Sequence, residues 1–264
     1  MDSPFTQTPA LRTALLGVLA GIALSGCGGS KVLRKPEPLP VTQSLAATSD
    51  QRLAATLEWV IVRDGPGTWA KNVDWDEYLI RVQNLSDKPI QVTNITVFDS
   101  LGTRIDIGRN RYQLIKGTRH TRRRYKDERL QVKAGVSSGF LMATGGVSAA
   151  ASAAVGLAAI AGYGNAATVS SALATGTIVA PALVIGGFIR GVNNSKVNRR
   201  IESRQTRLPA MLQAAQGKGL DIFFPLAPSP RHIELTYVDS QGRHILVIDT
   251  HTVLDGLHLE HAAK

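Results

Sequence analysis

From residue 53 onward the chain alternates apolar and polar positions in short runs. Residues 55–63 (ATLEWVIVR), 77–83 (EYLIRVQ) and 90–98 (IQVTNITVF) are rich in β-branched and aromatic residues, as half-buried strands are. Clusters of turn residues separate them: Asp64-Gly65-Pro66-Gly67, the stretch from Asn84 to Pro89, and Asp99-Ser100-Leu101-Gly102. Strand signals return at 220–226 (LDIFFPL), 232–238 (HIELTYV) and 244–249 (HILVID), with Ser240-Gln241-Gly242-Arg243 reading as a hairpin turn. Pro225, Pro228 and Pro230 confine the first of these to an edge or a strand start, because proline lacks the ladder N–H. A short segment from Pro209 reads as helical through Gln216. Between the two groups of strands the alternation stops, and residues 134–189 contain no Asp, Glu, Lys, Arg or His.

The economical architecture is α+β: one antiparallel β-sandwich interrupted by a long α-helical hairpin. Residues 53–107 supply its first half and 217–264 its second half and tail, with basic helical flanks at 108–133 and 190–216. Two separate β domains are the alternative, but each would be short of core. The spacing of strands and turns looks immunoglobulin-like in a broad sense, although the chain has no cysteine pair.

The uncharged run is far longer than the roughly 20 residues one membrane-spanning helix needs. As a hairpin, its limbs would be 136–161 and 166–189, turned by Gly162-Tyr163-Gly164-Asn165 and kinked at Pro181. Gly, Ala, Ser and Thr dominate it, so hydrophobicity alone would insert it weakly. Small residues instead let helix backbones approach closely. Gly135 and Gly139, and the row Ala150, Ala154, Ala158, Gly162, recur every fourth residue on one helix face. In this the stretch resembles the glycine-zipper hairpins of some bacterial envelope proteins. The alternative is an Ala/Gly-rich insertion packed within the protein.

At the N-terminus Arg12 precedes a short apolar run from Ala14 to Leu24, followed by Leu24-Ser25-Gly26-Cys27. This resembles the lipobox of a bacterial lipoprotein signal peptide, residues 1–26. The resemblance implies cleavage between Gly26 and Cys27 and acylation of Cys27. Cys27 is the only cysteine, which also excludes an intramolecular disulfide. Gly28, rather than Asp, follows it. Among lipoproteins of two-membrane bacteria that favours the outer membrane, with the protein facing the periplasm. Residues 27–52, with Gly28-Gly29-Ser30 and the prolines at 36, 38 and 40, read as a flexible, Pro-rich tether.

The net charge is +10, and much of it flanks the uncharged run. Arg122, Arg123 and Arg124 on one side and Arg199 and Arg200 on the other are the candidate contacts to anionic lipid or surface-polymer phosphates. No zinc finger, RNA-binding signature or helix-turn-helix points to nucleic acid. If the β halves form one domain outside the cytoplasm, both basic flanks lie outside too, against the positive-inside tendency of inner-membrane helices. Entry into the outer membrane, self-association, or packing without crossing lipid would each remove the conflict.

Candidate chemistry is sparse. There is no phosphate loop, Gly-x-Ser-x-Gly elbow or His-Glu-x-x-His. With its cysteine assigned to lipid the chain has no Cys-based metal site, and His232, His244, His251, His258 and His261 lack paired ligand spacing. Asp64, Asp74, Asp76 and Glu77 surround a loop, 64–75, that carries Trp69 and Trp75. The reading is therefore a non-catalytic envelope lipoprotein without catalytic residues, metal or cofactor. Its hairpin would mediate membrane insertion or oligomerisation, as part of a transport or secretion assembly with itself or another envelope protein. The alternative is a periplasmic binding module that uses Trp69 and Trp75 as its ligand surface, with the hairpin packed as an insertion.

Overall fold

The computed structural model of the chain describes residues 29–36, 38, 39, 43–135 and 181–260. Gly26, Cys27, Gly139, Ala150, Ala154, Ala158, Gly162 and the hairpin turn lie outside the described residues. Strands β1 (Lys31–Val32) and β2 (Ala46–Ser49) precede β3 (Leu53–Ile61), β4 (Ala70–Lys71), β5 (Trp75–Asn84), β6 (Ile90–Phe98) and β7 (Arg104–Asp106). Helix α1 (Arg111–Asp127) and β8 (Gln131–Val132) follow. Helix α2 (Pro181–Arg204) then leads into β9 (Ala210–Leu212), β10 (Gly217–Pro225), β11 (His232–Asp239), β12 (Gly242–Asp249) and β13 (Leu259–Glu260). The fold is α+β and mostly antiparallel sheet.

Two sheets share one core. The first has the order β10-β5-β3-β2; the second has the order β12-β11-β6-β7, with β9 also on β6. Each sheet contains strands from both sides of residues 134–189, so the two halves are one folding unit. Alternation puts Leu53, Leu57, Ile80, Val82, Leu220 and Ile222 of the first sheet against Ile95, Val97, Ile233, Leu235 and Ile248 of the second. Two bulges break the alternation. The register of β3 on β5 slips past Glu58, and that of β6 on β11 slips past Thr93. Each slip exchanges the faces of the residues beyond it. Pro225 ends an edge strand, as its missing N–H requires, and Ser240-Gln241 joins β11 to β12 with Gly242 at positive φ.

Both faces of this end of the first sheet are covered. On the outer face Phe223 packs with Trp69, Trp75, Leu114 of α1, and Val197 and Ile201 of α2, forming a second core. Asn110 caps α1 by accepting the Gln113 N–H at 2.9 Å. Gly117 faces Pro225 so closely that a Cβ would sit 2.4 Å from the ring, which lets α1 lie against the sheet edge. The Thr118 hydroxyl accepts the Leu226 N–H and donates to the Asp74 carbonyl, stitching α1 to both neighbouring segments.

Three sequence expectations change. Residues 210–212 form a strand rather than part of a helix, because Ala210 and Leu212 are buried while Met211 is exposed on the edge of β6. The boundary between hairpin limb and basic flank at Ile189 does not exist in the backbone, since α2 runs through it to Arg204. Residues 29–36 and Leu39 are not a free tether. Ser30 is 3% exposed, β1 pairs with β4, and Leu39 packs on the main core. Among the described residues no helix is long and apolar enough to cross a membrane.

Candidate functional site

The departing end of the uncharged segment, helix α2 that leads out of it, and the start of the described chain are joined by one chain of contacts. On the entry side, β8 pairs with β13, and the Lys133 N–H donates to the His258 carbonyl. His258 holds a positive φ of 63° and is fully buried. Its Nδ1 lies 3.1 Å from the carbonyl oxygens of Lys133 and Gly135. Carbonyls only accept, so Nδ1 carries a proton. Nε2 lies 2.7 Å from Oδ2 of Asp76, also fully buried. This imidazole–carboxylate pair clamps the chain where it departs at Gly135.

A chain of contacts links that clamp to Ser30 and α2. A Cβ on Gly135 would lie 3.0 Å from the Arg63 carbonyl. Arg63 Nη2 donates to Asn72 Oδ1 at 3.0 Å, and the Ser30 hydroxyl donates to the Asn72 carbonyl at 3.1 Å. The Arg111 guanidinium reaches Ser30 Oγ at 3.4 Å, while the Arg111 N–H donates to Asn198 Oδ1 of α2 at 3.1 Å. Burial pushes the Arg111 pKa down, with Asp74 opposing that shift. Beside this seat Lys31 stands directly opposite Lys71, both exposed.

Gly135 itself lies outside any helix, at φ +104°, while Gly139, its expected partner, lies outside the described residues. The role of Gly135 is a bend that only glycine adopts without strain. Gly135→Ala is expected to destabilise the fold by about 1–3 kcal/mol, read by urea unfolding. An unchanged midpoint would show that the bend relaxes freely.

Trp69 and Trp75 are 5% and 3% exposed and offer no ligand face. Trp69 Nε1 donates to Glu77 Oε2 at 2.8 Å, and Arg204 pairs with Glu77 Oε1 at 2.7 Å while lying over the Trp69 ring. Burial pushes the Glu77 pKa up, against the charge and hydrogen bond of Arg204 and the bond from Trp69. The acidic residues of the loop are likewise engaged: Asp74 by Arg122 at 2.9 Å, Asp64 by Arg63 at 3.4 Å, and Asp76 by His258.

The five candidate arginines do not share a surface. Arg123, Arg199 and Arg200 are exposed, but Arg122 grips Asp74 with both terminal nitrogens and Arg124 is held by buried Asp99 at 3.1 Å. Successive helical residues are turned by about 100°, so 122, 123 and 124 project in different directions. The sequence reading missed the Asp76–His258 pair. Both residues were visible as titratable groups, but no local spacing connects positions this far apart. No protein-family model, curated protein or solved structure matches the chain.

Proposed function

We propose that this chain is a lipid-anchored, non-catalytic protein of the bacterial envelope. Cys27 carries the lipid, and residues 134–189 form a helical hairpin that enters the membrane or assembles with copies of the chain. In this reading the β body is an immunoglobulin-like sandwich on the periplasmic face of the outer membrane. The carrying observation is the contact chain from Gly135 through Arg63, Asn72, Ser30 and Arg111 to Asn198. It gathers the departing end of the uncharged segment, the helix that leads out of it, and the residue three positions after Cys27.

Three residues span at most about 10 Å. An acyl chain on Cys27 would therefore hold the face around Ser30 against the leaflet, not at a distance from it. The uncharged segment departs from that same face and would meet the same bilayer. Two directly opposed lysines, Lys31 and Lys71, repel each other in water but gain counter-charges beside phosphate headgroups. The rival binding module is disfavoured by the burial of Trp69 and Trp75.

The test removes the lipid and keeps the segment. The mature chain from Gly28 is exported behind a cleavable non-lipoprotein signal, and membranes are washed at alkaline pH. The expected result is retention in the pellet. Release as a soluble, folded monomer would overturn the membrane and assembly role of 134–189.

A further inference from the structure

We propose that the groove between β7 and α1 is a binding site for a soluble, multiply charged phosphate ligand of the pyrophosphate class. The groove has a volume of about 610 Å³, within the usual range for small-molecule sites. Its walls carry four permanent cations: Arg104 and Arg109 from the strand and following loop, and Lys116 and Arg124 from the helix. Asp106 is the one carboxylate among its lining residues. It pairs with Arg104 at 2.8 Å, but both side chains are more than half exposed, so solvent screens the pair.

Arg124 is fixed at the groove wall by its neighbours. Asp99 and Thr121 take its Nη2, and Asp99 at 3.1 Å balances its charge, so among the described residues the unpaired cations of the groove are Arg109 and Lys116. Arg109 and Lys116 are exposed. Clustered cations of this kind oppose one another until an anion occupies the space between them. Two or more negative charges on a compact, oxygen-rich ligand match the surplus better than a single carboxylate does.

Helix geometry separates this site from the lipid face. Lys116, His120 and Arg124 recur every fourth residue and line the groove. Arg111 and Arg122 lie on the opposite side of α1, toward Ser30 and Asp74. A ligand from solution therefore reaches the groove without passing the face near Cys27. This site stands whether or not the chain is lipidated.

The full chain in non-ionic detergent is titrated with inorganic pyrophosphate at about 0.15 M salt by isothermal calorimetry. Saturable binding is expected, weakened about 10- to 100-fold in Arg109→Ala/Lys116→Ala. Both positions are exposed, so the fold should persist, checked by an unchanged melting temperature. The pair Arg199→Ala/Arg200→Ala, on α2, should bind like the parent chain. Absence of saturable binding overturns the proposal, as does equal loss in the α2 pair. Vesicles containing phosphatidylglycerol form a last arm: groove-dependent capture by vesicles without pyrophosphate binding would assign the site to a lipid headgroup and overturn the soluble-ligand reading.

Discussion

His258→Ala is expected to cost the fold about 3–5 kcal/mol, because it strands the fully buried Asp76 carboxylate without its partner. For a chain of this size each kcal/mol corresponds to roughly 2–4 °C in melting temperature. Asp76 has no alternative, since its Oδ1 is already without a partner among the described residues. The variant also frees the carbonyls of Lys133 and Gly135, so the departing chain loses its clamp. The backbone adds its own contribution, because His258 sits at φ +63°, where alanine is disfavoured. His258→Asn separates the two effects. Asparagine tolerates that φ, so the cost it retains reports the side-chain pair. A double-mutant cycle with Asp76→Ala should show strong coupling. A loss below about 1 kcal/mol in His258→Ala would mean that water replaces the imidazole, and the clamp would not be structural.

Trp69→Ala is expected to cost about 3–5 kcal/mol, the range for removing a buried aromatic side chain. The indole meets Phe223 edge-on at 6.4 Å, lies under Arg204, and donates to Glu77. Its loss opens the second core and removes one of the donors to a buried carboxylate. Trp69→Phe keeps a ring but not the N–H, and should cost a smaller amount, about 1–3 kcal/mol. Urea unfolding of both variants checks this. If Trp69→Ala left stability unchanged, the loop would be free of the core, and a role in ligand binding would return.

The strands were legible because their information is local. Alternation in 77–83 and 90–98, the turn at Asp99–Gly102 and the prolines after 224 each follow from short-range chemistry, and each appears in the structure near its expected place. Residues 210–212 were misread because three residues show too little periodicity. Their strand form depends on the free edge of β6, a partner about 120 positions away. The tether was misread for a related reason. Gly, Ser and Pro carry no signal for docking, while β4 and Asn72 supply the partners that order Ser30 and Lys31.

The tryptophans and arginines show where composition stops being informative. Trp69 and Trp75 read as a loop surface until Phe223 and the two helices close over them. Arg122 and Arg124 read as surface charge until Asp74 and Asp99 arrive from other elements. Residue type and spacing were enough for the antiparallel strands, the turn at Ser240-Gln241 and the edge position of β10, since backbone geometry imposes these within a few residues. Which arginines stay free, where the chain is clamped at His258, and which groove collects the cations depend on contacts between residues far apart in sequence. Such contacts exist only after both sheets have closed on their common core.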